Sequence, residues 1–137
     1  MATTTADITI TSTDLLSDSL SLTTSATLTD AGGATGMTQA SGLSRKTTTA
    51  VTEYTLFAAA DYTDDTANKV YLKNTETNTA LFFEVQIAGV VVGKLYAGDW
   101  AFIPWSADTT GTNCDIDITP SSTASHTLEY MLFHEGL

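Results

Sequence analysis

The stretch LFFEVQI, residues 81–87, decides the fold class, because its side chains divide with a period of two. Leu81, Phe83, Val85 and Ile87 fall on one face, and Phe82, Glu84 and Gln86 on the other. Successive residues of an extended chain point to opposite faces, so this alternation is read as a strand with one buried side. Ala88-Gly89 turns the chain into residues 90–96, whose consecutive valines are read as a strand buried on both faces or closing the core. Upstream, residues 74–79 form a polar turn after a strand over 69–73, and the acidic turn 61–65 ends a strand carrying Val51, Tyr54, Leu56 and Ala58. Downstream, Gly98-Asp99 turns into the short strand Trp100, Ala101, Phe102 and Ile103. Pro104 stops it, since proline cannot donate to a ladder and belongs at a strand end or edge. Ile116 and Ile118 make another strand ended by Pro120. In the last, residues 127–133, Leu128, Tyr130 and Leu132 alternate with Thr127, Glu129, Met131 and Phe133.

The first third of the chain is Thr- and Ser-rich yet almost free of proline, which suits half-exposed β-structure better than a mucin-like stalk. Ile8 and Ile10 alternate with threonines, and Leu20, Leu22, Ala26 and Leu28 alternate with Ser or Thr, giving two more strands. Residues 14–18 could form a single helical turn between them. The glycine-rich run 29–42 is read as a flexible loop, or a segment ordered by a neighbour, serving as an arm or insertion. Turn signals about every 8 to 12 residues, about eight or nine short strands and no strong helix define an all-β fold. The expectation is a single β-sandwich or jelly-roll-like domain with an extended Thr/Ser-rich N-terminal arm. Residues 1–45 carry the N-terminal strands, arm and Gly-rich loop, and 46–137 the main body. Strand order does not follow from the pattern, and no internal repeat suggests a propeller or solenoid.

A chain of 137 residues with 42% hydrophobic content holds one core. Sixteen acidic residues against five Lys and Arg give a net charge of −11, which repels a phosphate backbone and argues against a nucleic-acid partner. With Cys114 as the single cysteine, no intramolecular disulfide can form. The N-terminal residues carry no basic and then apolar leader, and no apolar run nears the roughly 18 residues that span a bilayer. The expectation is a soluble protein made in the cytosol, with no membrane contact.

Signals for chemistry are weak. Gly89-Val-Val-Val-Gly93-Lys94-Leu95 has three spacers where a phosphate loop needs four, and Leu where a hydroxyl must meet magnesium. His126 and His134 could partner a nucleophile, but no Gly-x-Ser-x-Gly elbow is present. Both are read as solvated, and one Cys with two His lacks zinc spacing. Asp61, Asp64 and Asp65, and the pair Asp115 and Asp117, could gather oxygen ligands for calcium, though solvated turns explain them as well. Tyr96, Trp100, Phe102 and Trp105 could form a sugar-stacking platform, a core or a subunit interface. No catalytic residue, cofactor or metal site is expected.

The run Gly93-Lys-Leu-Tyr-Ala-Gly-Asp-Trp-Ala-Phe-Ile-Pro-Trp105, with Asp115-Ile-Asp-Ile-Thr-Pro120, Leu128-Glu-Tyr-Met131, Ala6-Asp-Ile-Thr-Ile10 and Gly42-Leu-Ser-Arg-Lys-Thr47, resembles small virion structural proteins of tailed bacteriophages, especially marine ones. The resemblance implies a virion component without saying which. A capsid decoration or cement protein is similar in size and β-content, and implies an outer capsid location, the major capsid protein as partner and a homo-oligomer, with a trimer favoured. A tail, neck or fibre component is the alternative within the particle, and a carbohydrate-binding β-sandwich using Trp100 or Trp105 the alternative of another class. The expected interface residues are Ile8 and Ile10 on a strand-adding arm, Arg45 and Lys46 facing an acidic partner surface, and Trp100 and Trp105. For Arg45 and Lys46, two solvated charges in a turn are the simpler reading.

Overall fold

The alternating segment forms strand β7 (Phe82–Ile87), which turns back into β8 (Val90–Tyr96) through Ala88 and Gly89 at φ of 54° and 71°. Two successive left-handed residues make the tight turn whose twist matches that of paired strands. This computed structural model describes residues 3–110 and 113–135. Among the described residues there is no α-helix, only a short 3-10 turn at Ala59–Asp61.

On its other side β7 pairs with β10 (Ile116–Pro120), and β5 (Tyr54–Phe57) lies outside β10, giving an antiparallel sheet in the order β5-β10-β7-β8. In the second sheet β6 (Asn68–Asn74) runs between β9 (Trp100–Trp105) and β11 (His126–His134). The far edge of β11 is covered in two pieces. β4 (Ser44–Thr48) pairs along His126 to Tyr130, and β3 (Gln39–Ala40) pairs with Phe133 and His134. Between the pieces, Ser41 donates its N–H to the Leu132 carbonyl and accepts the Leu132 N–H at Oγ. Counted as one broken edge, β3 and β4 complete two sheets with orders 4-11-6-9 and 5-10-7-8. That is the strand order of an eight-stranded jelly roll. The fold is thus an all-β sandwich of jelly-roll type.

Its core follows from the alternation. Val70, Leu72, Leu128 and Leu132 project from one sheet against Phe83, Val85, Ile116 and Ile118 from the other, all buried. Each such side chain contributes about 1.5–3 kcal/mol on leaving water, so this layer supplies the main favourable term. Trp105 seals one end against Phe57 and Tyr62, at ring separations of 6.2 and 5.4 Å. Asn74, fully buried, donates through Nδ2 to the Leu81 and Leu95 carbonyls and accepts from the Glu76 N–H, joining three chain segments.

The N-terminal strands stand apart. β1 (Thr5–Ser12) and β2 (Leu20–Thr27) pair in register with each other and with no other described strand. At the base of this hairpin Leu28 and Met37 are buried, and their N–H groups bond to the Thr4 and Leu28 carbonyls. Glu135 Oε1 accepts from both Ala31 N–H and Ala67 N–H, at 2.6 and 2.8 Å, tying the glycine-rich segment to the body.

Several expectations change. The valine run of β8 is an exposed edge, with Val90 at 65% exposure, since no described strand pairs beyond it. β9 continues through Pro104 to Trp105, tolerated because β9 is an edge strand whose missing donor faces away from the ladder. Residues 14–18 form a bend without helical hydrogen bonding. Residues 29–42 are ordered by their neighbours, and the boundary drawn after residue 45 falls inside β4, which belongs to the body. Arg45 and Lys46 therefore lie in a strand and not in a turn.

Candidate functional site

The outer face of the five-stranded sheet is built from the outward positions of β4, β11, β6 and β9. Pairing register sets its rows. The first row runs Arg45, Glu129, Lys73, Trp100, the second Met131, Tyr71, Phe102, and the third Ala40, Phe133, Lys69, Pro104. An apolar and aromatic centre is thus bordered by cations. A groove of about 400 Å³ opens over it, lined by Tyr71, Phe102, Met131, Phe133 and the carboxylate of Glu129 from the sheet, by Leu43, and by the hairpin base at Thr4, Thr5, Ala6 and Leu28.

Glu129 is the polar anchor of this face. Arg45 holds it by Nε at 3.0 Å and by a guanidinium nitrogen at 2.9 Å, while Tyr71 donates its hydroxyl at 3.2 Å. The Arg45 hydrogen bond holds the Glu129 carboxyl below the usual carboxylate range, helped by Tyr71 and Lys73. Burial, and then the bond to Glu129, push the Tyr71 phenol up. The Arg45 side chain is 68% exposed, so this pair is screened by water and salt and orients Glu129 more than it stabilises the fold.

The second element is the hairpin itself. Directly paired residues share a face, so Ile8, Ile10, Leu20 and Leu22 form an apolar stripe on one side, while the other side is Thr, Ser and Asp7. Ile10 and Leu22 are half exposed, at 49% and 50%, while Ile8 and Leu20 are partly buried. At the tip, the Ser12 hydroxyl bonds to Asp14 and accepts the Leu15 N–H, presenting Leu15 and Leu16 at 71% and 59% exposure.

The expected interface residues are dispersed. Ile8 and Ile10 lie on the hairpin stripe. Arg45 and Lys46 alternate across β4: Arg45 reaches the outer face, whereas Lys46 turns to the inner side, with its ammonium 4.3 Å from the Tyr54 ring centre. They cannot act as one cationic patch. Trp100 is 53% exposed at the corner of the outer face. Trp105 belongs to the core, donating its indole N–H to the Cys114 carbonyl at 2.6 Å. Phe102 is among the aromatics read as a platform, core or interface, whereas Leu15, Leu16, Tyr71, Met131 and Phe133 are given no surface role by sequence reading. The available signal was that β9 and β11 are apolar at both parities, which asks for a second covered face.

The histidines expected in solvent are buried, because β11 directs its even-numbered positions inward. His126 bonds through Nδ1 to the Ala124 carbonyl at 2.6 Å and through Nε2 to Ser121 Oγ at 3.0 Å. This Ser–His contact lacks a carboxylate behind the ring. The imidazole has no exposed surface, and Ser121 Oγ already accepts the Phe82 N–H, so the pair is a satisfied core network. His134 bonds to the Glu135 carbonyl and packs edge-on to Tyr62. Asp115 accepts the Ala59 N–H and Asp117 the Thr55 hydroxyl, so both carboxylates serve the fold. Among the described residues no three His, Cys, Asp or Glu side chains gather closely enough to hold a metal ion. No helix of the described residues is long and apolar enough to cross a membrane. Comparison with known proteins finds no matching family model, curated protein or solved structure.

Proposed function

We propose that this chain is a structural protein of a tailed-bacteriophage particle, seated on the outer capsid surface as a decoration or cement protein and bound to the major capsid protein through protein–protein contacts. The observation that carries this reading is the projecting hairpin β1–β2. An isolated two-stranded ribbon is marginal in water, and this one keeps an apolar stripe and two unpaired edges open to solvent. Such an element gains its partner on assembly, when main-chain edges and apolar side chains meet a neighbouring subunit. The net charge of −11 supports an outward position, since it opposes packaged nucleic acid. Jelly rolls recur in viral shells and in lectins, an analogy of fold that raises both readings without choosing between them.

The test mixes purified protein with particles lacking it and counts bound copies. Binding at shell copy number, lost when residues 7–25 are replaced by an Asn-Gly turn joining the paired residues Ala6 and Ala26, is the expected outcome. Unchanged binding by that variant overturns the role given to the hairpin. Copy numbers on the scale of tail rings assign the protein to the tail or neck instead. The exposed Trp100 favours one second reading, a glycan-binding module, in which polysaccharide quenches or shifts tryptophan fluorescence and Trp100→Ala abolishes the response.

A further inference from the structure

We propose that the groove on the outer face of the five-stranded sheet receives the β1–β2 tip of a second copy of this chain. Such a contact between copies does not depend on what the protein binds on a particle.

Three observations choose this occupant. The first is apolar fit. The groove of about 400 Å³ has Tyr71, Phe102, Met131 and Phe133 as its floor and Leu43 on its rim, and among the described residues Leu15 and Leu16 are the most exposed adjacent apolar pair. The Ser12 hydroxyl accepts the Leu15 N–H and so restrains the backbone of the tip before contact, which lowers the entropic cost of docking.

The second is charge. The hairpin from Thr5 to Thr27 carries Asp7, Asp14 and Asp18 and no cation. The sheet face gathers Arg45, Lys73 and Lys69, three of the five cations of the chain, against two carboxylates: Glu129, which Arg45 pairs and which lines the groove, and Glu135 beside Lys69. Asp14 and Asp18 flank the two leucines, so a docked tip brings carboxylates to the cationic border while its leucines enter the centre. On a strongly acidic chain, a face with three cations against two carboxylates attracts an acidic apolar segment more than it repels it.

The third is reach. β1 is eight residues long, and a rise of about 3.4 Å per residue puts the tip roughly 24 Å from the hairpin base that itself lines the groove. The tip of a chain therefore cannot enter its own groove. Tip and groove are different patches of one molecule, so the contact is head-to-tail, closing into a ring where the rotation permits and otherwise adding copies in a chain.

The test uses the full chain and two variants that each lose one half of the contact. Leu15→Asp/Leu16→Asp spoils the tip, and Leu43→Glu spoils the groove rim at a position 60% exposed, where folding is not at stake. Mass by light scattering across a concentration series is expected to show association of the natural sequence. Either variant alone should associate roughly a hundredfold or more weakly. An equimolar mixture of the two retains one intact tip and one intact groove, and is expected to form a one-to-one dimer that neither variant forms alone. Phe102→Glu serves as a second groove variant, with circular dichroism checking that each remains folded. A monomeric natural sequence, undiminished association of the tip variant, or folded variants that stay monomeric when mixed would each overturn the proposal. Particle binding, measured separately, bears on the capsid role alone.

Discussion

Leu72→Ala should lower stability severely while Leu15→Ala should not, and the contrast tests whether the sandwich alone holds the fold. Leu72 has no exposed surface and sits in the middle of β6, with Tyr130 on one paired strand and Ala101 on the other. The small Ala101 cannot swing in to fill the space, so the cavity should persist. Leu→Ala changes in cores cost about 2–5 kcal/mol, and persistence of the cavity argues for about 3–4. At an m-value of about 2 kcal/mol per molar urea, the midpoint should fall by about 1.5–2 M. For a domain of this size Tm should drop by about 10–15 °C. Leu15 is 71% exposed at the hairpin tip, and its truncation should change stability by less than about 0.5 kcal/mol in dilute, monomeric protein. Urea titration followed by tryptophan emission reads both, since Trp105 is buried at 4% exposure and reports on opening of the core. A loss below about 1 kcal/mol for Leu72→Ala, or similar losses for the two variants, would refute the division into stabilising body and dependent arm.

Asn74→Leu should destabilise by about 2–3 kcal/mol despite its added apolar surface, because it strands the Leu81 and Leu95 carbonyls, measurable by the same titration. Trp105→Phe, which replaces the buried indole with a smaller phenyl ring and loses the 2.6 Å bond to the Cys114 carbonyl, should cost about 1–3 kcal/mol. The Glu129 carboxyl is lowered by Arg45, so its folded form binds a proton less readily than the unfolded chain. Its contribution is present above the ordinary value of 4.5 and is lost as pH falls through the lowered one. Melting of the natural sequence and of Glu129→Gln should therefore differ at neutral pH and converge in acid, and added salt should narrow the neutral-pH gap. Ala88 occupies a left-handed position at φ 54° beside Gly89, and Ala88→Asn should raise stability by about 0.5–1 kcal/mol. Loss of stability there would show that the turn does not limit the hairpin.

Local chemistry made much of the sandwich legible. Alternation in residues 81–87 and 127–133 identified two of its inner strands, and Ala88-Gly89 and Gly98-Asp99 marked the β7–β8 and β8–β9 turns. The same reasoning misplaced the valines of β8 because a run of apolar residues records only hydrophobicity. Whether a strand lies inside a sheet or at its edge depends on which strands flank it, and that is a long-range fact. It also left the histidines in solvent, although the parity of Leu128 and Leu132 extends to His126 and His134. A place near the chain end for His134 and one just before the last strand for His126 point to solvent, but register turns both inward, where nearby carbonyls and Ser121 satisfy them.

The candidate surface was the least legible part, for a related reason. Arg45, Glu129, Lys73 and Trp100 come from four strands scattered along the chain, and only pairing register places them in one row. Adjacent Arg45 and Lys46 look like one patch in the sequence and are separated by the pleat. Trp100 and Trp105 look like a pair, yet their opposite parity sends one to solvent and the other to the core. By itself the sequence determined the class of fold, the separateness of the Thr/Ser-rich N-terminal strands and the acidity of the exterior, because period, turn residues and charge are local or additive properties. Only the tertiary structure decided the jelly-roll order, the buried histidines and the apolar groove flanked by Arg45, Lys73 and Lys69. Each depends on which distant strands become neighbours, and loop closure and packing settle that across the whole chain at once.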